Sequence, residues 1–135
     1  MDLGIKNKTA LVFGAGSGLG RAMAVSLGKE GAKVALAGRN VANLEETAKI
    51  IKAAGGQAYC IAWDLAKLDT IDSLFTQVEK DLGPVDILVN NTGGPPPTPA
   101  AGQSTALWIE KFHEMVLSVI AITDRCLLYT SPSPR

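Results

Sequence analysis

Three glycines carry the first chemical question. Gly14, Gly18 and Gly20 stand in the stretch LVFGAGSGLGRA, after an apolar run and before residues with helical spacing. A helix N-terminus presents unpaired backbone N–H groups and the positive end of the helix dipole. A phosphate can rest against it where the turn carries no Cβ in its path. Gly14, Gly18 and Gly20, with Ser17 and Leu19 among them, are therefore candidate phosphate ligands. A tight turn that binds nothing is the plain alternative. The spacing is not that of a P-loop, which needs Gly-x-x-x-x-Gly-Lys-Ser/Thr, because Arg21 follows Gly20. It also departs from the common Gly-x-Gly-x-x-Gly fingerprint.

Arg39 is the second candidate. It follows Gly38 at the end of another apolar run, KVALA. In dinucleotide enzymes an acid at the end of the second strand takes the ribose 2′-OH, whereas a basic residue accommodates a 2′-phosphate. No carboxylate lies between this run and Glu45. A guanidinium pairs with phosphate through two parallel hydrogen bonds. The expectation is NADP rather than NAD, with a solvated surface arginine as the alternative.

Other chemistries find little support. Cys60, Cys126 and His113 are too few and too scattered for a zinc site. Two distant cysteines fit reduced thiols in the cytoplasm. Thirteen basic residues balance thirteen acidic ones, so no nucleic-acid surface or polybasic membrane patch is expected. No apolar run approaches a membrane span, and the start lacks the separate apolar segment of a secretion signal. His113 and Glu114 are adjacent, so they do not share a helix face, and both read as solvated.

The elements that must position these residues are legible as alternation. Apolar runs at Thr9 to Phe13, Lys33 to Ala37, Gln57 to Trp63 and Val85 to Asn91 read as strands of a parallel sheet covered on both faces. Each gap is long enough for a helix. Leu19, Met23 and Leu27 mark one face of the first helix, and Gly31 its stop. Leu44, Ala48 and Ile51 mark the second, and Ile71, Leu74, Phe75, Val78 and Leu82 the third. After a Pro- and Gly-rich loop, Trp108, Phe112, Met115, Val116, Val119 and Thr123 mark a last helix. The order predicts an α/β fold, a doubly wound parallel sheet of Rossmann type. A chain of 135 residues supports one modest core.

The spacing Gly14-x-x-x-Gly18-x-Gly20 resembles the first motif of the short-chain dehydrogenase/reductase family, Thr-Gly-x-x-x-Gly-x-Gly. Asn90-Asn91-Thr92-Gly93 is similar to that family's Asn-Asn-Ala-Gly, and Asp64-Leu65 to the pair that frames the adenine. The likeness runs from residue 5 to about residue 125 and is nearest to reductases of the 3-oxoacyl-acyl-carrier-protein type. It implies a cofactor site at Gly14, Ser17, Gly18, Leu19, Gly20, Arg39, Asp64, Leu65, Asn91, Thr92 and Gly93. It also implies a small carbonyl or alcohol substrate, a cytoplasmic setting and a homo-oligomer when complete. Phe13 stands where the family has Thr and Thr92 where it has Ala. Two readings are open: a hydroxyl that has moved from position 13 to 92, or a Phe13 that fills core beside a Thr92 that caps the turn.

The resemblance implies a catalytic Ser, Tyr and Lys, with Tyr-x-x-x-Lys spacing, beyond the last helix. Neither Tyr59 nor Tyr129 has a Lys four residues on, so no catalytic residue is assigned to this chain. Aligned by its apolar face, the last helix puts Met115 at the place of a family Asn. Residues 129–135, YTSPSPR, are read as an irregular tail foreign to a domain spanning 1–128, similar to translated adapter sequence, and the domain as truncated after the fourth strand and its helix. A natural short chain with a disordered tail is the alternative. The expected function is the cofactor-binding half of an NAD(P)-dependent oxidoreductase. A non-catalytic dinucleotide-binding or interaction protein on the same scaffold is the alternative.

Overall fold

The computed structural model describes residues 2–94 and 96–130. Four strands form one sheet: β1 (Thr9–Phe13), β2 (Lys33–Gly38), β3 (Gln57–Ala62) and β4 (Val85–Val89). Their order is β3-β2-β1-β4, and every pairing is parallel. The chain starts in the middle, builds outward through β2 and β3, then crosses back to place β4 on the other side of β1. This is the reversal of strand order that opens a crevice at the carboxyl ends of the strands. The expected Rossmann-type fold is the observed one.

Helices α1 (Gly18–Lys29), α2 (Val41–Ala53) and α3 (Ile71–Leu82) link the strands. Two cores result. On one face of the sheet Ala10, Val12, Val34 and Leu36 pack with Ala24, Leu44, Ala48 and Ile51. On the other, Leu11, Phe13, Ala35 and Ile61 pack with Trp63, Ile71, Phe75, Val78 and Ile122. β1 is buried on both sides, which is why its sequence is a continuous apolar run.

The α1 face differs from expectation. Leu19 is exposed and Met23 and Leu27 are only half-buried; the buried residues are Gly20, Ala24 and Gly28. The helix uses its smallest residues to approach the sheet and α2 closely, so its larger apolar side chains lie at the margin. The α2 and α3 faces are as the spacing predicts, with Leu44, Ala48 and Ile51 buried on α2 and Ile71, Phe75 and Val78 on α3.

After β4 the chain enters α4 (Thr105–Phe112), then a π-type turn at His113–Leu117, then α5 (Ser118–Thr130). Here too the predicted face is not the buried one. Glu114, Ser118 and Ile122 face inward, while Trp108, Phe112 and Val116 are exposed. A π-type turn adds a residue to the helical period, so apolar spacing counted at 3.6 does not continue through it. Arg125 fixes α5 on α3: its Nε donates to Asp72 Oδ1 at 2.8 Å, it pairs with Glu79, and its guanidinium lies 4.9 Å from the Phe75 ring centre. The tail expected to be irregular from residue 129 is helical through Thr130; residues 131–135 lie outside the described residues.

Candidate functional site

The crevice is built where β1 runs into α1. Ser17 precedes the helix in extended conformation, and its side chain makes no capping bond. By contrast, Asn40 caps α2 and Ser104 caps α4. The first N–H groups of α1 thus have no side-chain cap. Gly18 has φ +54°, and a Cβ there would meet open space. Gly20 has the opposite surroundings: a Cβ would lie 1.9 Å from the Gly14 carbonyl oxygen. One glycine keeps the approach to the helix end clear, and the other lets the turn close on itself.

A polar clamp holds this turn from α2. Arg21 donates to the Gly16 carbonyl at 2.6 Å, the Asn43 carbonyl at 3.2 Å and Thr47 Oγ1 at 2.9 Å. The buried Thr47 hydroxyl donates to the Ala15 carbonyl at 2.8 Å. Neither residue was expected to matter. Thr47 carried a signal, as a polar residue within the apolar stripe of Leu44, Ala48 and Ile51.

Arg39 borders three adjoining clefts. The first, of about 200 Å³, is lined by Gly14, Gly16, Ser17, Asn40 and Asn43. The second, of about 160 Å³, is lined by Phe13, Trp63, Leu65, Asn91, Gly93 and Glu114. The third, of about 470 Å³, runs along Ala62, Asp64, Lys67, Thr70 and Ser73. The Arg39 side chain is 67% exposed at their common rim. The structure therefore brings together Gly14, Ser17, Arg39, Asp64, Leu65, Asn91 and Gly93. Gly18 and Gly20 shape the turn beside them. Leu19, 77% exposed, and Thr92 do not line these clefts.

Asp64 Oδ1 accepts from the Ala66 N–H at 3.0 Å, which shapes the turn after β3. The Asn91 side-chain amide donates to the Phe13 carbonyl at 3.2 Å. The Phe13 ring lies in the core at 4.8 Å from Trp63, edge to face. Of the two readings of Phe13, the structure favours the one in which it fills core volume. Trp63 is itself buried, and its Nε1 has no hydrogen-bond partner among the described residues.

Glu114 corrects the expectation of a solvated acid. It is 5% exposed and lies in the wall of the second cleft. The π-type turn at His113–Leu117 carries it there; such turns are frequent at functional sites. Lys111 donates to its Oε2 at 2.9 Å, and Arg39 Nη2 lies 3.8 Å from its Oε1. The Lys111 spacing of three was readable in the sequence as a helix-surface pair. Its approach to Arg39 was not, because that contact exists only once the sheet is assembled.

Among the described residues no group of three or more His, Cys, Asp or Glu gathers to hold a metal ion. No helix among them is long and apolar enough to cross a membrane.

The fold and the open glycine turn together define a Rossmann-type α/β domain. The sequence profile described as short chain dehydrogenase matches residues 8–131, and the chain belongs to that family. A short chain dehydrogenase of Pseudocercospora fijiensis is 38% identical over 125 residues, covering 92% of this chain and 40% of that protein. The L-sorbose reductase of Gluconobacter frateurii, solved with NADPH and L-sorbose, superposes with a TM-score of 0.87 at 30% identity, over 97% of this chain and 50% of its own. An actinorhodin polyketide ketoreductase solved with NADPH gives 0.82 at 35% identity, over 89% and 46%. The chain thus spans half or less of the length of each of these relatives.

Proposed function

We propose that this chain is the cofactor-binding half of an NADP-dependent oxidoreductase that interconverts a small carbonyl compound and its alcohol. The observation that carries the reading is the open start of α1 at Gly18, with the Arg39 guanidinium at the rim of the adjoining clefts. The residues fit the group. The turn of Gly14, Ser17, Gly18, Leu19 and Gly20 offers backbone N–H groups to the pyrophosphate. Arg39 meets the 2′-phosphate. Asp64 and Leu65 frame the adenine, and Asn91 and Gly93 form the wall toward β4, with Thr92 in the turn between them. The solved relatives with NADPH support the same cofactor.

The bound cofactor supplies or accepts the hydride. This chain's residues bind it, orient it and narrow the crevice around it. Proton supply at the carbonyl is assigned to none of the 135 residues, which hold no Tyr-x-x-x-Lys pair. The protein works in the cytoplasm as a homo-oligomer, a reading supported by the free cysteines Cys60 and Cys126 and by the exposed Trp108, Ile109 and Phe112 on α4. A non-catalytic dinucleotide-binding protein is the second reading. Met115 at the place of the family's Asn favours it.

Calorimetric titration of the full chain with NADPH and NADH tests the proposal. Saturable NADPH binding, stronger than NADH and lost in Gly18→Val, is expected. Absence of binding by either cofactor overturns it.

A further inference from the structure

Glu114 forms half of a contact that arches over the carboxyl end of β1. Arg39 comes from the end of β2 and Glu114 from the turn between α4 and α5, so the pair joins opposite banks of the crevice. Glu114 is held firmly on its own bank. Ser118 Oγ donates to its backbone carbonyl at 2.6 Å, and Lys111 donates to its carboxylate at 2.9 Å. Its Oε1 would lie 3.7 Å from a Cβ on Gly93, so it sits directly against the turn after β4. Arg39 is held loosely, at 3.8 Å and 67% exposed.

We infer that Glu114 is a positioning residue that holds Arg39 across the cleft mouth, and so sets how strongly a 2′-phosphate is preferred over a bare ribose. The three side chains carry two positive charges against one negative, and the excess charge borders the cleft. A phosphate that draws Arg39 away leaves Glu114 still paired with Lys111. No buried carboxylate is stranded, so the exchange avoids the large penalty of an unpaired buried charge. The phosphate must nevertheless compete with Glu114 for the same guanidinium. Glu114 therefore tempers NADP(H) affinity without touching the pyrophosphate. A cofactor without the 2′-phosphate leaves the pair as it is.

This inference rests on the proposed NADP site, and the experiment separates the two. Calorimetry with NADPH, NADH, 2′,5′-ADP and 5′-ADP is run on the full chain and on Glu114→Gln. Removing the pull of an ion pair whose arginine is exposed is worth about a two- to fivefold change in affinity. NADPH and 2′,5′-ADP should bind Glu114→Gln more tightly by that factor, with NADH and 5′-ADP unchanged. The gain should shrink as salt screens the exposed partner. Glu114→Asp, which keeps the charge but retracts it from Arg39, should move the same way and serves where the amide variant folds poorly. Wild type that binds NADPH while both variants bind it equally or more weakly overturns the inference and leaves the NADP site standing. Equal weakening of all four ligands makes Glu114 a direct ligand or a structural residue and overturns it as well. No binding of NADPH by the wild type removes the NADP site and the inference together.

Discussion

The Asn91 side-chain amide donates to the Phe13 carbonyl across 3.2 Å and ties the carboxyl ends of β4 and β1 together above the sheet. The same amide nitrogen would lie 2.6 Å from a Cβ on Gly14 and 2.8 Å from one on Gly20. Asn91 thus buttresses the glycine turn from behind. Asn91→Ala removes a hydrogen bond worth about 0.5–1.5 kcal/mol of stability. Urea unfolding should show that loss, and NADPH affinity should fall with it because the turn loses its support. Unchanged stability and affinity would show that the turn holds its shape without Asn91.

Gly18 and Gly20 should respond differently to a side chain. Gly18→Val places branches in open space at the start of α1 and forces a left-handed φ of +54°, at a strain of about 1–2 kcal/mol. The domain should fold, keep its helical circular dichroism and lose NADPH binding. Gly20→Ala should fail earlier, because its Cβ meets the Gly14 carbonyl oxygen at 1.9 Å. A Gly20→Ala protein as stable as the wild type would mean that the turn has room to move.

Arg39→Asp should reverse the cofactor preference. It removes the phosphate's partner, supplies an acceptor for the ribose 2′-OH and adds a second carboxylate near Glu114. Loss of a charged hydrogen bond costs about 1.5–3 kcal/mol, or roughly ten- to a hundredfold in NADPH affinity. Titration of both cofactors reads this directly, and a retained preference for NADPH would assign discrimination elsewhere.

Phe13→Thr installs the residue that the family has at this place. The ring it removes is 1% exposed and packs edge to face on Trp63, which in turn meets Phe75 at 6.4 Å. Truncating a buried Phe costs about 3–5 kcal/mol. Thermal and urea unfolding should both show a large loss, whereas a near-neutral result would mean that the core refills the space.

The 135 residues should turn over no ketone with NADPH. General acid catalysis alone is worth about 10²–10⁴ in rate, and the chain has no Tyr-x-x-x-Lys pair to supply it. NADPH consumption is followed by absorbance against a Gly18→Val control. Turnover above that control would reveal a proton donor among these residues, with Glu114 the first to be replaced.

The strands were legible because a parallel sheet buries both faces of each strand, so β1 and β2 announce themselves as unbroken apolar runs. The glycine turn was legible because its chemistry is local. The inward face of α1 was not, since Gly20, Ala24 and Gly28 carry little hydropathy and are buried by close approach. Glu114 was missed for a related reason. An acid reads as solvent-facing until a non-local cation and a widened helical turn bring it inside. The Arg21–Thr47 clamp likewise depends on α1 meeting α2, which no spacing within either helix records.

The strand order has a consequence for the chain as it is made. β1 pairs with β2 on one side through Thr9 to Phe13 and with β4 on the other through Thr9 to Val12. The first partner is the next strand in the chain, and the second is the fourth, made only after β2 and β3. As the polypeptide leaves the ribosome, β1, β2 and β3 can zip together while one edge of the innermost strand stays bare until Val85–Val89 emerge. Non-local pairings of this kind are reached slowly, and an open strand edge is where nascent chains stick to one another. Thr9 and Asp86 then close the seam: the Asp86 carboxylate accepts from the Thr9 N–H at 3.0 Å, a latch that cannot engage until translation has passed the fourth strand.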